Sequence, residues 1–367
     1  MLVDIVLRSD THLKPGGDSL QVQEYVSRLE AAGLSVRRHR YTPNMPLREQ
    51  SLVHIVNVDR PYDFLDAFRQ AGSRPVVVSP IHHRLEAVRQ MRLAEPNQGL
   101  RSALGRLPEP VRELLAHAAR TWKSGERSPV RMVALFVRAS GNLPGLWRRV
   151  GCALDAAAAV AVLAEGEVTD LMTDTGWNAR NRVNVPNGRP ITQAAPPPWK
   201  GREREILVVG RIEPRKRQVD VARAAAARQI DVTFVGYLNG TTGAYAQTFL
   251  DLVDGSEHLT YLGAVSHGEV LELLRCSRVL LNCSWVEVQS LVDLEAADAG
   301  CWVVANTNGN SREWIGEGCV EIQPDAIADA VIMADRLARG VKSPPRLAYP
   351  WTWDDAADIL IRTYGAA

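Results

Sequence analysis

Long hydrophobic runs are missing from this sequence, in which no eighteen consecutive residues are apolar and uncharged. A transmembrane helix needs about 20 such residues, so none is expected. The first residues are too charged, and their apolar stretch is too short, for a signal peptide. We therefore expect a cytoplasmic protein, with peripheral contact at the inner face of the membrane left open.

Cysteines and the common metal-binding patterns are also scarce. The five cysteines are odd in number and lie in mostly apolar surroundings, which indicates reduced core thiols and argues against a disulfide framework or a zinc site. There is no Asp-x-Asp, no Walker loop and no clustering of histidines at metal-ligand spacing. The cysteines are Cys152, Cys276, Cys283, Cys301 and Cys319, and the unclustered histidines are His12, His39, His54, His117, His258 and His267.

What the sequence does contain is an alternation of short apolar strands and helical stretches. This pattern predicts an α/β fold with doubly wound parallel sheets, and 367 residues exceed the usual size of one core. We predict one domain over 1–192 and another over 203–350, joined by a proline-rich hinge, with the site at the carboxyl ends of the strands between them. The predicted strands are 2–7, 53–58, 76–79 and 159–163, then 206–209, 232–235, 279–282, 302–305 and 320–322.

Two glutamates, Glu287 and Glu295, flank the junction between an apolar strand and an alanine-rich helix. If the helix begins near Gln289, Glu287 lies in the loop before it and Glu295 lies about two turns along it. The first amides, at Ser290 and Leu291, would have no partner within the helix and would form a phosphate site with the helix dipole. A carboxylate near a sugar, another near a ribose and a phosphate between them describe a bound nucleotide sugar.

This element resembles the Glu-x7-Glu signature of the retaining glycosyltransferases of family 4, the group 1 type, which have the two-domain GT-B fold. The resemblance implies that Glu287 contacts the donor sugar and that Glu295 contacts the ribose. The family usually has Phe-Gly-Leu where this chain has Gln289, Ser290 and Leu291. The polar Gln289 leaves the sugar and base preferences open, so UDP-sugars and GDP-sugars are both candidate donors.

A second element predicts a strand that ends in a tight turn at Gly210, followed by a basic cluster and a helix. Departure of a nucleoside diphosphate builds negative charge, and a fixed cation about 4 Å away contributes roughly 4 kcal/mol at an effective dielectric constant near 20. Arg211 and Lys216 match the family's Gly-Arg-x4-Lys pattern, and the resemblance implies that they hold the diphosphate. We expect Arg215 and Arg217 to be solvated members of a surface charge run.

Two weaker matches lie in the N-terminal half. Gly16 and Gly17 follow the first strand and precede a helix expected from about 19 to 32. Such a loop can be a simple turn, but the resemblance implies that it lies beside the diphosphate and the acceptor. The family often has a histidine near the donor sugar at the end of another N-terminal strand, where this chain has His82 and His83. The sequence does not decide which of the two faces inward.

Two segments near the C-terminus extend the resemblance. The loop 306–313 is similar to the family's Gly-Gly-x-x-Glu loop, with Asn310 where the second glycine is usual. The segment 349–357 resembles the family's closing segment, which implies that a helix over 351–367 completes the N-terminal domain. The same resemblance implies two Rossmann-like domains that face each other across the active cleft.

The segment 84–150 carries thirteen Arg or Lys against five Glu, although the whole chain has a net charge of only +1. Prolines divide it into several expected helices, so we predict a basic helical insertion in the N-terminal domain. It could contact an anionic surface or acceptor, such as lipid headgroups, a glycan or nucleic acid, or it could be a solvated face of a packed subdomain.

These features together predict a retaining glycosyltransferase that uses a nucleotide-sugar donor. The missing Asp-x-Asp fits the GT-B habit of stabilising the leaving group with side chains, so no metal and no further cofactor are expected. The acceptor remains open between a glycan, a lipid and modified nucleic acid. The alternatives are a nucleotide-sugar 2-epimerase on the same scaffold and a non-catalytic protein that binds a nucleotide or a glycan.

Overall fold

The structure is a computed structural model, and the residues that it describes are 1–12, 16–94, 107–123, 133, 137, 139–141, 145–189, 197–202, 205–238 and 243–367. The chain divides into two compact units. The first comprises Met1–Leu85, Arg92–Gly188 and Trp353–Ala367, and the second comprises Glu86–Met91 and Arg189–Thr352. The sequence places the boundary slightly later, within 192–203.

The first unit contains a six-stranded parallel sheet in the order β2-β1-β3-β4-β5-β6. The central strands β3, β4 and β5 are buried along their whole length, as expected for a parallel sheet covered on both faces. The strands are β1 Leu2–Leu7, β2 Ser35–Arg40, β3 Leu52–Val56, β4 Val76–Ser79, β5 Ala159–Val162 and β6 Arg182–Asn184.

Helices connect these strands. Between β4 and β5 the described residues form three of them, α3 to α5, so the described parts of 84–150 are largely helical. The helices are α1 Gly17–Ala31, α2 Pro61–Ala71, α3 Leu85–Ala94, α4 Glu109–Lys123, α5 Leu146–Ala156 and α6 Glu165–Thr175.

The second unit also contains a six-stranded parallel sheet, in the order β12-β11-β10-β7-β8-β9. Its strands are β7 Ile206–Val209, β8 Val232–Val235, β9 Leu259–Tyr261, β10 Val279–Asn282, β11 Trp302–Asn306 and β12 Cys319–Ile322. Its helices are α7 Gln218–Ala226, α8 Gly243–Asp254, α9 His267–Cys276, α10 Leu291–Asp298, α11 Ser311–Ile315 and α12 Ile327–Arg339.

The last helix, α13 (Trp353–Ala366), belongs to the first unit. Its Tyr364 hydroxyl lies 2.6 Å from Nδ1 of His54, whose Nε2 lies 2.9 Å from Ser79 Oγ. Because His54 is fully buried, its pKa falls to about 3, and the neutral ring links α13 to β3 and β4. None of the described helices is long and apolar enough to cross a membrane.

The predicted pair of doubly wound parallel sheets is confirmed, and all nine predicted strands are present. Three strands were missed, namely β2, β6 and β9. Each lies at the edge of its sheet, and β6 and β9 have only three residues. Edge strands need no apolar run, because one side of each remains exposed.

Candidate active site

The centre of the second sheet is the point at which its strand order reverses. β7 and β10 are parallel neighbours there, so the loops that follow them leave from the same edge. Open α/β sheets bind ligands at such a point, outside the carboxyl ends of the strands. The loops 210–217 and 283–290 therefore frame the candidate site.

A close contact between two glycines fixes the first loop. Gly210 has φ +149° and donates its N–H to Val235 O at 2.8 Å. A Cβ atom added to Gly236, whose φ is +148°, would lie 2.0 Å from Gly210 O. Both positions therefore need glycine, and their backbone contact sets the direction in which Arg211 leaves the strand.

Basic and acidic side chains of this loop interlock. Glu213 Oε1 lies 3.1 Å from Nη2 of Arg211 and 3.3 Å from Nε of Arg215. The backbone N–H of Lys216 donates to Glu213 O at 2.9 Å, within a short 3₁₀ turn, Pro214–Lys216. Glu213 thus holds Arg211 and Arg215 at one end of the turn and fixes its backbone at the other.

The second loop brings a carboxylate to this basic cluster. Lys216 Nζ donates to Glu287 Oε1, and Nη1 of Arg215 lies 3.6 Å from the same oxygen. Arg215 also donates to Val286 O at 3.1 Å, which ties the two loops together. Since the side chains of Lys216 and Glu287 are each only 14% exposed, the pair is largely shielded from solvent.

The expectation that Arg215 and Arg217 are solvated is wrong. Arg215 pairs with carboxylates of both loops, and Arg217 is 7% exposed with its guanidinium carbon 4.0 Å from the centre of the Trp285 ring. Arg217 also donates to Asp220 at 3.0 Å. Its backbone is left-handed, φ 59°, and neither this conformation nor the burial of the side chain can be inferred from a run of charges in the sequence.

Helix α10 begins one residue after Ser290, whose side chain accepts from Asp293 N. Leu291 is the first helical residue, and the first N–H groups of a helix have no partner within it. Gln289, just before the cap, is buried and donates to Tyr349 Oη at 3.2 Å. Glu295, one helical turn past the cap, is 8% exposed, so the helix presents little of it to solvent.

Glu295 has a neighbour that the sequence did not indicate. His267, the first residue of α9, has Nε2 2.8 Å from Glu295 Oε1. A capping box of Ser266 and Glu269 fixes the start of α9 and therefore the position of His267. The capping pattern was visible in the sequence, but the partner 28 residues away was not.

Asp293 is a second residue that the sequence reasoning missed. It is fully buried and accepts from Ser311 Oγ at 2.6 Å, Asn282 Nδ2 at 2.7 Å and Ser290 Oγ at 2.9 Å. Burial raises its pKa to about 6, although the hydrogen bonds from Ser311 and Asn282 oppose the shift. The sequence offers little signal for it, because helix α10 carries three carboxylates, Asp293, Glu295 and Asp298, and nothing local separates them.

We expect Asp293 to make stability depend on pH between about 4 and 7. Its pKa rises from 3.8 to about 6 on folding, so the unfolded chain loses this proton first and the free energy of unfolding falls as pH rises through that range. The loss is about 3 kcal/mol. Asp293→Asn keeps the size and an acceptor oxygen but does not titrate. In urea unfolding, the free energy of unfolding of the variant relative to that of the parent should therefore rise by that amount from pH 4 to 7. Parallel pH profiles would contradict this expectation.

The loop after β11 explains a departure from the glycine pattern. Asn310 adopts a left-handed conformation, φ 52°, which asparagine tolerates better than most residues. The same loop contacts the segment before Glu287, since Asn306 Nδ2 donates to Ser284 O and Asn308 Nδ2 donates to Trp285 O. The loop thus supports the backbone that carries Glu287.

The two histidines of the first unit differ. His82 is 1% exposed, and its ring nitrogens lie 2.9 Å from Asp59 Oδ1 and from Asp174 Oδ2. Burial alone lowers the pKa of His82, but the hydrogen bonds to Asp174 and Asp59 raise it to about 10. Nδ1 of His83 forms a hydrogen bond with Asp59 Oδ2, and the side chain of His83 is partly exposed. Of the two, His83 is therefore the one whose ring reaches the surface.

The remaining predicted positions lie at the start of α1. Gly16 caps this helix in an extended conformation, and Gly17 is its first residue. Lys14, which precedes them, lies outside the described residues. The structure thus brings Gly210, Arg211, Lys216, Glu287 and the start of α10 together in the second unit, and it places Gly16, Gly17, His82 and His83 in the first.

No group of three or more His, Cys, Asp or Glu within the described ranges is arranged to hold a metal ion. All five cysteines are free, and Cys283, Cys301 and Cys319 are buried. Burial raises the pKa of the Cys301 thiol to about 12, so it stays protonated at neutral pH.

Comparison with known proteins is consistent with this geometry. Residues 191–339 match the family model described as Glycosyl transferases group 1. D-inositol 3-phosphate glycosyltransferase of Mycobacterium tuberculosis (strain ATCC 25618 / H37Rv) is 28% identical over 180 residues, which are 45% of this chain and 38% of that protein. The match therefore spans well under half the length of the curated relatives.

Solved structures resemble the chain over its whole length. Sucrose-phosphate synthase from Thermosynechococcus elongatus gives a TM-score of 0.64 at 16% identity and covers 100% of this chain and 94% of that one. The Anabaena protein HepE in complex with UDP and glucose gives 0.61 at 12% identity and covers 99% of each chain. At these identities the likeness concerns the fold, and it confirms the predicted GT-B class.

Proposed function

We propose that this chain, whose residues 191–339 match the family model of the group 1 glycosyl transferases, moves a sugar from a nucleoside diphosphate donor to an acceptor hydroxyl with retention of anomeric configuration. The observation that carries the proposal is the pairing of Lys216 with Glu287 beside Arg211, at the point where the strand order of the second sheet reverses. Cations and a carboxylate there can serve a diphosphate and a sugar at once.

The cations would stabilise the leaving group. Arg211 can hold diphosphate oxygens with its planar fork, and Lys216 can approach them as a point charge. When the donor binds, Lys216 would exchange its bond to Glu287 for one to the diphosphate, and Glu287 would then accept from a sugar hydroxyl. These side chains, and not a metal ion, would balance the negative charge that develops on the departing diphosphate.

Helix α10 would hold the rest of the donor. The amides of Ser290 and Leu291 stand at its start, where N–H groups and the helix dipole attract phosphate. Glu295 would accept from the ribose hydroxyls, and the bond from His267 fixes the orientation of its carboxylate. Gln289, held by Tyr349, leaves the choice of base open.

Retention follows if the acceptor attacks from the face that the diphosphate leaves. The leaving phosphate can then accept the proton of the acceptor hydroxyl, so no separate general base is required. His83 would assist as charge develops on the sugar, because its ring is the more exposed of the pair, while both nitrogens of His82 are occupied by carboxylates.

An epimerase of nucleotide sugars on the same scaffold is the alternative, and it would release a sugar without any acceptor. A non-catalytic binder would bind the donor without hydrolysis or transfer. Contact of 84–150 with an anionic surface stays a prediction, because five of its thirteen basic residues lie outside the described ranges: Arg101, Arg106, Arg127, Arg131 and Arg138.

A panel of UDP- and GDP-sugars, tested in EDTA, separates these possibilities. We expect one donor to raise Tm by several degrees and to be hydrolysed slowly, and we expect Arg211→Ala to lose both effects. Arg223→Ala, which removes an exposed cation from α7, should retain them. No response of the parent protein to any donor would overturn the proposed function, and a response that needs added Mg²⁺ would overturn its metal independence.

A further inference from the structure

The first unit has its own point of strand-order reversal, between β1 and β3. The loop after β1 carries Ser9 and Asp10, and the loop after β3 ends at Arg60, which caps α2. Ligands of open α/β sheets bind outside such a point, so this edge is a second place where a ligand is expected.

Helix α4 packs beside this edge. Tyr62 of α2 donates its hydroxyl to Pro110 O at 3.0 Å, and its ring stacks on His117 of α4 with ring centres 5.6 Å apart. Nδ1 of His117 lies 2.7 Å from Asp63 Oδ1. Arg120 follows His117 by one turn of the same helix, so its side chain lies on the same face.

Arg120 has guanidinium nitrogens that no group satisfies. Its Nε and Nη2 are buried and have no hydrogen-bond partner among the described residues, and the same holds for Nε of Arg60 and the hydroxyl of Ser9. Buried polar groups are nearly always paired, so several unpaired donors at one sheet edge need an explanation. All of these groups can donate to an anion.

The nearby carboxylates are already paired with other groups. Asp10 accepts from Arg8 at 2.7 Å, and its other oxygen lies 3.4 Å from Arg60 Nη2. Asp63 accepts from Ser9 N at 3.1 Å and is bound by His117. The third carboxylate that acts on Arg120, Glu113, pairs with Arg92 at 3.0 Å. None of the three forms a hydrogen bond with Arg120.

Arg120 is therefore a partly buried cation, two of whose nitrogens are buried without a hydrogen-bond partner among the described residues. Burial lowers its pKa, and the charge of Arg60 lowers it further. An unpaired cation of this kind lowers the stability of the fold. Proteins retain such a residue mainly where a ligand needs it. An anion placed between Arg120 and Arg60 would satisfy both side chains.

We propose that Arg120, Arg60 and Ser9 bind the phosphate group of an anionic acceptor. The inference rests on the proposed function, because it assigns this group to the acceptor and not to the donor. The phosphate can belong to a small phosphate monoester or to a lipid headgroup, which share the chemistry that the site recognises.

Binding of glycerol 3-phosphate, with glycerol as the neutral reference, tests the site by calorimetry on the full chain. We expect glycerol 3-phosphate to bind, glycerol not to bind, and Arg120→Met to weaken the phosphate at least tenfold. Arg148→Met, which removes an exposed cation from α5, should bind as the parent does. Without ligand, Arg120→Met should have a Tm equal to or above that of the parent, whereas a purely structural arginine would lower it.

Three further experiments distinguish a lipid phosphate from a soluble one, and failure of the phosphate site from failure of the donor site. Arg60→Met, at a partly exposed position, should weaken the phosphate if Arg120→Met fails to fold. Arg211→Ala should retain glycerol 3-phosphate while losing the nucleotide sugar, so failure of the donor site is distinguishable from failure of this one. Vesicles with phosphatidic acid, compared with phosphatidylcholine alone, decide between a lipid and a soluble acceptor. No binding of glycerol 3-phosphate or of acidic vesicles, or equal binding by the parent, Arg120→Met and Arg60→Met, would overturn the proposal.

Discussion

Replacing Lys216 by alanine is expected to lower kcat/KM for donor turnover by about 10²- to 10³-fold, the usual effect of removing one fixed group that stabilises transition-state charge. Lys216 is held by its 3₁₀ turn and by Glu287 before any donor arrives, so it needs little reorganisation when negative charge develops. Slow hydrolysis of the donor found in the nucleotide-sugar panel provides the assay. The effect should fall mainly on kcat, because the charge forms in the transition state.

The control for this prediction is Arg223→Ala, which removes the same charge from an exposed position on α7. Lys216→Ala should also keep a Tm close to that of the parent, since Glu287 remains 3.6 Å from Nη1 of Arg215. If kcat/KM falls less than tenfold while the fold is intact, Lys216 is not the group that stabilises the diphosphate. A large fall in Tm would instead mean that its pairing with Glu287 is structural.

The pairing of Lys216 with Glu287 bears on the choice of ligand. A carboxylate that neutralises Lys216 lowers its attraction for free phosphate, whereas a complete donor would offer Glu287 a sugar hydroxyl in exchange. Such an exchange would favour the nucleotide sugar over the bare nucleoside diphosphate. The two glutamates of Glu-x7-Glu would then differ in role, since Glu295 is paired with His267 and Glu287 with Lys216.

The interior strands of both sheets were predictable because they are buried on both faces and form continuous apolar runs. β4, β7, β8 and β10 have the bounds that the sequence suggests. β2, with the sequence Ser-Val-Arg-Arg-His-Arg, was missed because an edge strand of a sheet can carry charges along its exposed side. Its place was determined by pairing with β1, which local sequence does not encode.

The candidate site divides in the same way. Glu287, Lys216 and Arg211 stood in patterns of fixed spacing, so the residues could be named before their geometry was known. The inward turn of Arg217, the pairing of His267 with Glu295 and the unsatisfied state of Arg120 depend on neighbours many residues away in sequence. The sequence of a charge run is the same whether its side chains are solvated or buried. Only the packing of the folded chain distinguishes the two cases.

Replacing Gly236 by alanine is expected to destabilise the second unit by about 3 to 5 kcal/mol, from overpacking and from backbone strain together. A Cβ atom there would lie 2.0 Å from the carbonyl oxygen and 2.6 Å from the carbonyl carbon of Gly210, and φ +148° is rarely adopted by a residue with a side chain. Both contacts are with backbone, so no side-chain rotation relieves them. The chain would have to shift at Gly210, and Arg211 would shift with it.

We therefore expect the variant to lose donor binding as well as stability. Calorimetry should show the transition of the second unit falling by about 10 °C, at roughly 2 to 4 °C per kcal/mol for a unit of this size, while that of the first unit stays in place. Gly243→Ala is the matched control, because nothing lies within 4 Å of its added Cβ and its backbone is not strained. That variant should be neutral or up to about 1 kcal/mol more stable, since alanine restricts the unfolded chain. Equal behaviour of the two variants would mean that the contact between Gly236 and Gly210 does not set the position of Arg211.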